Sequence, residues 1–122
     1  IDHIGRLIIP QGDTGTFTIP TQGTVETGDV AIFSIYDNLT HKTVLEKKIE
    51  ATPETLSFNF VTEDTLNIEP TETNYGANSR YTWDITILRN PEYDENEELI
   101  HADSIDSYYA AFSLPPCIIK RV

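Results

Sequence analysis

The segment Arg80 to Arg89, RYTWDITILR, constrains the fold more than any other part of the chain: Tyr81, Trp83, Ile85 and Ile87 alternate with Thr82, Asp84 and Thr86. A period of two sends alternate side chains to opposite faces of a β-strand, whereas helical spacing would repeat every three or four residues. Burying four such side chains contributes roughly 6 to 12 kcal/mol before entropy is counted, comparable to the net stability of a whole domain. The pattern predicts a central strand with Tyr81, Trp83, Ile85 and Ile87 in the core and Asp84 facing away from the aromatic row. There the Asp84 carboxylate would meet solvent or a polar group of a neighbouring strand, and a partner covering that face would have to bring it a hydrogen-bond donor.

The same alternation recurs where Phe17 and Ile19 are spaced by Thr16 and Thr18, and where Leu56, Phe58 and Phe60 are spaced by Ser57 and Asn59. Val30 to Tyr36, VAIFSIY, is nearly continuous in apolar residues, which fits a strand covered on both faces and adds Phe33 to the core. Further strands are expected at Leu7 to Ile9, Thr43 to Glu50, Leu99 to Ala102, Tyr108 to Leu114 and Ile118 to Val122. Glu63 to Ile68, EDTLNI, is the one stretch suited to a helical turn.

Turn formers separate these runs at short intervals: Gly12-Asp13, Gln22-Gly23, Gly28-Asp29, Asp37-Asn38, Asn74-Tyr75-Gly76, Asn90-Pro91 and Pro115-Pro116. Parallel strands would need crossover connections of about a dozen residues or more, so the spacing predicts antiparallel pairing. The expected fold is all-β, an antiparallel two-sheet immunoglobulin-like β-sandwich. With 122 residues, no internal repeat and no low-complexity linker, residues 1–122 are read as a single domain.

Eight Lys and Arg against twenty Asp and Glu leave a formal charge of -12, which repels phosphate backbones and anionic membrane surfaces and argues against nucleic-acid binding. The single cysteine, Cys117, excludes an intramolecular disulfide and a thiol-based zinc site; beside Pro116 and Ile118 it reads as a small hydrophobe. No apolar run approaches the ~20 residues of a membrane-spanning helix, so no membrane insertion is expected. The first residue is not Met, so the lack of a leader segment says nothing about compartment.

Candidate chemistry is sparse. Glu92, Asp94, Glu95, Glu97 and Glu98 crowd one loop, but without a glycine-assisted bend a solvated hairpin loop is the expectation, ahead of a calcium site. His3, His41 and His101 are scattered and lack metal-ligand spacing. No nucleophile elbow and no glycine-rich phosphate loop is present. Carboxylate pairs are invisible in one dimension, and the abundance of acids is no evidence of a dyad. Asn38-Leu39-Thr40 matches a glycosylation acceptor, a pattern frequent by chance. No catalytic residue, metal or cofactor is expected.

The order of Gly28-Asp29 opening VAIFSIYD, then FNFVTEDTLNI, then Gly76 and RYTWDITIL resembles the amino-terminal domain of phage baseplate upper proteins and related prophage tail domains. In that family an Asp-Thr turn precedes a Gly-x-Tyr-x-Tyr-Asp-Ile strand; here Gly76 stands further from Tyr81 and Trp83 takes the place of the second tyrosine. The likeness extends from Gln11 to Phe112. It implies a virion structural module in the tail or baseplate, assembled in the bacterial cytoplasm, with other virion or tail proteins or further copies of itself as partners.

The apolar ends, with Ile4, Leu7, Ile8 and Ile9 at one and Ile118 and Ile119 at the other, are candidate assembly contacts, since one end can close the domain's own sheet while the other adds to a neighbour's. On that expectation, deleting Ile1 to Arg6 abolishes assembly and leaves the fold intact. The alternative from another class is a secreted or cell-surface module binding glycans through exposed tyrosines, drawn from Tyr36, Tyr75, Tyr93, Tyr108 and Tyr109.

Overall fold

The computed structural model describes residues 7–20, 25–70, 80–107 and 116–120. The protein is all-β, and its sheets are antiparallel apart from one strand pair. Its strands are β1 (Leu7–Pro10), β2 (Gly15–Pro20), β3 (Val30–Asp37), β4 (Lys42–Glu50), β5 (Thr55–Phe60), β6 (Tyr81–Arg89), β7 (Glu92–Tyr93), β8 (Leu99–His101), β9 (Ser104–Ser107) and β10 (Pro116–Lys120), with a helical turn α1 (Thr62–Thr65) after β5.

The largest sheet runs β1-β10-β6-β3-β4, and β9 also pairs with β6. β6 shares its second edge: β10 pairs at Tyr81 and Thr82, and β9 pairs at Thr86 to Arg89. Trp83, Asp84 and Ile85 pair with β3 only, among the described residues. β1 lies parallel to β10, with Leu7 opposite Cys117 and Ile8 opposite Ile118. This departs from the expected antiparallel pairing for a simple reason: nearly the whole chain connects the two strands, so no local crossover is needed. Both terminal strands therefore pair within the domain's own sheet.

β2 and β5 form a separate antiparallel pair whose register sets Phe17 opposite Phe58 and Ile19 opposite Leu56. On the other face of that pair Thr16 donates to Asn59 Oδ1 at 2.7 Å, and the hydroxyls of Thr18 and Ser57 lie 3.0 Å apart. Period-two alternation thus divides each strand into an aromatic face and a hydroxyl face.

The aromatic face meets the larger sheet. Phe33 of β3 lies 5.5 Å from Phe58, 5.6 Å from Phe60 and 5.9 Å from Trp83, centroid to centroid, while Phe17 lies edge-on to Trp83 at 5.8 Å. Tilted and edge-to-face rings at these distances add about 0.5–1.5 kcal/mol each beyond their buried area. Phe33, Phe58, Tyr81, Trp83, Ile85 and Ile87 are buried in this cluster, and Phe60 packs partly buried against it. Ile9, an assembly candidate in sequence, is also buried in this core.

α1 starts one residue before the predicted helical turn, Glu63 to Ile68, and ends three residues short of it, and it is tied to the β1–β2 turn. Gln11 Nε2 donates to the carbonyls of Leu66 and Ile68, both at 2.9 Å, and Gly12 N–H donates to Thr65 Oγ1 at 2.8 Å. The strand expected at Tyr108 to Leu114 lies outside the described residues.

Candidate functional site

Two arginine–aspartate pairs brace the ends of the two central strands. β3 begins after Asp29 and ends at Asp37; β6 begins after Arg80 and ends at Arg89. Antiparallel register then brings Asp29 to Arg89 at one end and Asp37 to Arg80 at the other. Arg89 Nε and Nη2 donate to the two Asp29 oxygens at 3.2 and 3.1 Å, and Arg80 donates to Asp37 in the same two-pronged way at 3.2 and 3.1 Å. Such forked pairing is the strong form of charge-assisted hydrogen bond.

The pairs shift their carboxyls. The Arg89 hydrogen bonds hold Asp29 below its ordinary value, against the opposing effect of burial. For Asp37, burial is the largest single influence and pushes upward, but the hydrogen bonds from Arg80 and from Leu39 N–H together outweigh it, so this carboxyl too is lowered. Both groups stay ionised at neutral pH and serve the fold.

A different environment surrounds Asp84. On the outer face of the large sheet, the register sets Glu46 of β4, Ser34 of β3 and Asp84 of β6 in one row. The small Ser34 side chain leaves a groove of about 290 Å3 lined by Ser34, Tyr36, Thr43, Thr82, Trp83, Asp84 and Thr86. The alternation predicts solvent or a polar neighbour for the Asp84 carboxylate; the structure sets it in this groove instead of open solvent, beside hydroxyl-bearing side chains that do not donate to it. It is half-buried and receives no hydrogen bond among the described residues. Burial, and next the charge of Glu46, raise its pKa.

The outer face is partly covered further along. Tyr93 of β7 lies under the ammonium of Lys48, which is 4.5 Å from its ring centroid. The Tyr93 hydroxyl is buried and has no hydrogen-bond partner among the described residues. β3 is thus closed on its inner face and half-covered on its outer one, with the groove over Ser34 and Tyr36 left accessible.

The acidic loop forms the turn of the β7–β8 hairpin. Asp94 Oδ1 accepts from the N–H groups of Asn96 and Glu98 at 2.8 and 3.0 Å, and Glu97 adopts a positive φ of 61°. Among the described residues no three His, Cys, Asp or Glu side chains converge on a point suited to a metal ion. His41 is exposed in a turn, His101 lies 3.4 Å from Asp103, and His3 is outside the described residues. Asn38 of the glycosylation pattern donates its side-chain amide to the Arg80 carbonyl at 3.1 Å, a bond that a glycan on that nitrogen would disrupt.

Of the assembly candidates, Leu7, Ile8, Ile118 and Ile119 lie in the parallel β1–β10 pair, and Ile4 is outside the described residues. Of the candidate glycan-stacking tyrosines, Tyr36 and Tyr93 are half-buried and Tyr75, Tyr108 and Tyr109 fall outside the described residues. The Asp–Arg braces and the Glu46–Ser34–Asp84 row are the features the alternation pattern did not disclose. The braces left one trace in sequence, an aspartate flanking each end of one apolar strand and an arginine flanking each end of another. Compared with known proteins, the chain matches no family model, no curated protein and no solved structure.

Proposed function

We propose that this chain is a structural module of a phage or prophage particle, an adaptor of the tail or baseplate that works through protein–protein contact, and that its sheets form an immunoglobulin-like sandwich. The packing of Phe17, Phe58 and Phe60 against Phe33 and Trp83 supports the sandwich reading. The order of turns and strands that resembles the baseplate upper protein domain supports the placement in a virion.

One observation carries the mode of action. The buried carboxylates Asp29 and Asp37 are committed to arginines that brace strand ends, and the accessible groove lies on a sheet face, where a partner rather than a reaction would find its contacts. On this reading the protein is not an enzyme, holds no cofactor, and partners other tail proteins or copies of itself. β1 adds a second surface, since it pairs on one side only among the described strands. A glycan-binding module has less support, because Tyr36 and Tyr93, the two candidate tyrosines among the described residues, are half-buried and do not form an exposed aromatic row.

The test is assembly. Co-expression with the products of adjacent genes, followed by sedimentation velocity, should give a stable complex or a closed ring. A strict monomer that joins none of them, beside genes of metabolism rather than of tails and fibres, overturns the proposal.

A further inference from the structure

Asp84 differs from every other carboxylate buried along β3 and β6. Asp29 and Asp37 each receive two hydrogen bonds from an arginine; Asp84 receives none among the described residues. Four cations on or beside β4 and β6 are engaged elsewhere: Lys47 with Asp64 at 2.7 Å, Lys48 over Tyr93, Arg80 with Asp37 and Glu69, and Arg89 with Asp29 and Glu26; Lys42 is exposed at the start of β4, where its register partner is Asp37. None of the residues lining the groove is basic.

A partly desolvated carboxylate without a donor costs free energy, and a second negative charge in the same row adds to that cost. Burial and Glu46 act on Asp84 in this sense. A cation entering from outside reverses both effects at once, whereas an uncharged hydroxylated ligand would satisfy the carboxylate and leave the repulsion in place.

The shape fits the same occupant. Glu46 and Asp84 stand on strands that flank β3, so their backbones are separated by twice the strand spacing, about 9.5 Å. One ammonium or guanidinium group set over Ser34 reaches both carboxylates. Thr43, Thr82 and Thr86 offer hydroxyls, and the half-buried Tyr36 ring offers a surface for an aliphatic stem. The volume, about 290 Å3, lies just below the ~300–1,000 Å3 of drug-sized ligand sites and admits one long side chain. A net charge of -12 steers basic surfaces toward the protein in general.

We infer that the groove over Ser34 is the seat of a lysine or arginine side chain from a partner protein, with Asp84 as its main acceptor and Glu46 as the second charge. This rests on the adaptor reading for the identity of the partner as a protein, and on the groove alone for its basic character.

The experiment is a titration of isotopically labelled protein, read by amide chemical shifts of Ser34, Tyr36, Asp84 and Thr86. The probes are N-acetyl-arginine amide, N-acetyl-lysine amide, neutral N-acetyl-norleucine amide and glucose. Saturable shifts are expected with the two basic probes and not with the neutral ones, with affinity falling as salt rises. Asp84→Asn, nearly isosteric and relieved of a penalised charge, should fold and weaken the basic probes about tenfold; Glu46→Gln should weaken them less. Absence of saturable shifts, equal binding by Asp84→Asn, or a response to glucose in place of the basic probes overturns the inference.

Assembly assays separate this inference from the adaptor reading. If the wild-type chain joins a tail-protein partner and Asp84→Asn joins it equally well, the groove inference falls and the adaptor stands. If the basic probes bind but no partner is ever joined, the adaptor falls and the basic preference of the groove stands.

Discussion

Replacing Asp37 with Ala removes one half of a brace at the end of β3, and the structure sets the size of the loss. The Asp37 side chain is 3% exposed and that of Arg80 17%. Arg80 donates to both carboxylate oxygens, and Leu39 N–H donates to Oδ1 at 2.9 Å. Breaking such a pair from one side typically costs about 3–5 kcal/mol, because a desolvated charge is left behind. Arg80 keeps a second contact with Glu69, but that carboxylate is 70% exposed and its attraction is screened by water, which moves the expectation only toward the lower end.

For a domain of this size the loss translates into a melting temperature lower by roughly 10–20 °C. The assay is urea unfolding followed through the fluorescence of Trp83, for wild type, Asp37→Ala, Arg80→Ala and the double variant. The single variants should each lose about 3 kcal/mol or more, and the double variant much less than their sum. The sign with pH follows from the lowered Asp37 carboxyl. Its contribution is fully present above the unfolded value near ~3.9 and is lost as pH falls through the lower folded value, so the wild-type advantage should shrink in acid. A single-variant cost below about 1 kcal/mol, the range of exposed pairs, or an advantage that is flat with pH, refutes the reasoning.

Three further outcomes are expected. Trp83→Ala, which empties the centre of the aromatic cluster, should cost about 3–5 kcal/mol in thermal melts followed by circular dichroism; a loss under about 1 kcal/mol would place the core elsewhere. Asp84→Asn should raise the melting temperature at pH 7. Its folded pKa is raised, so the penalty appears as pH rises from the unfolded value through the folded one; the gain should vanish near pH ~3, and a variant less stable at pH 7 contradicts the assignment. Tyr93→Phe removes a buried hydroxyl without a partner among the described residues and should stabilise the protein by about 1 kcal/mol in the same melts, a loss being the contrary result.

The strands that sequence disclosed are those whose alternation is carried by large apolar side chains. Phe17 and Ile19, Leu56 and Phe58, and Tyr81 to Ile87 each bury one face, and local pattern and tertiary packing agree there. β7 and β9 were missed because their residues, Glu92–Tyr93 and Ser104–Ser107, have no such pattern. β9 exists because the second half of β6 offers it an edge, which is a tertiary cause. Asp29 and Asp37 looked like turn formers in sequence and do serve turns through Glu26 and Leu39 N–H, but their arginine partners are distant in the chain and become visible only once the β3–β6 register is known. Alternation likewise assigned Asp84 to its face and left its neighbours undetermined, since the row with Ser34 and Glu46 depends on pairings across three strands.

The braces and the groove belong to one arrangement. β3 and β6 are tied at both ends by forked ion pairs and in the middle by the packing of Phe33 on Trp83, so the outer surface between the ties has little freedom to deform. Ser34 and Asp84 sit opposite one another midway between those ties. A carboxylate held there in a fixed, partly dry position costs stability in the isolated chain, and the ties supply the margin that lets the fold carry that cost. Because the position is fixed before any partner arrives, a basic side chain entering the groove meets an ordered acceptor and loses only its own freedom. That is the condition under which a single charged contact adds usefully to affinity. Weakening either brace should therefore loosen the groove as well as the fold, and Asp37→Ala should reduce the response to N-acetyl-arginine amide even under conditions where the variant remains folded.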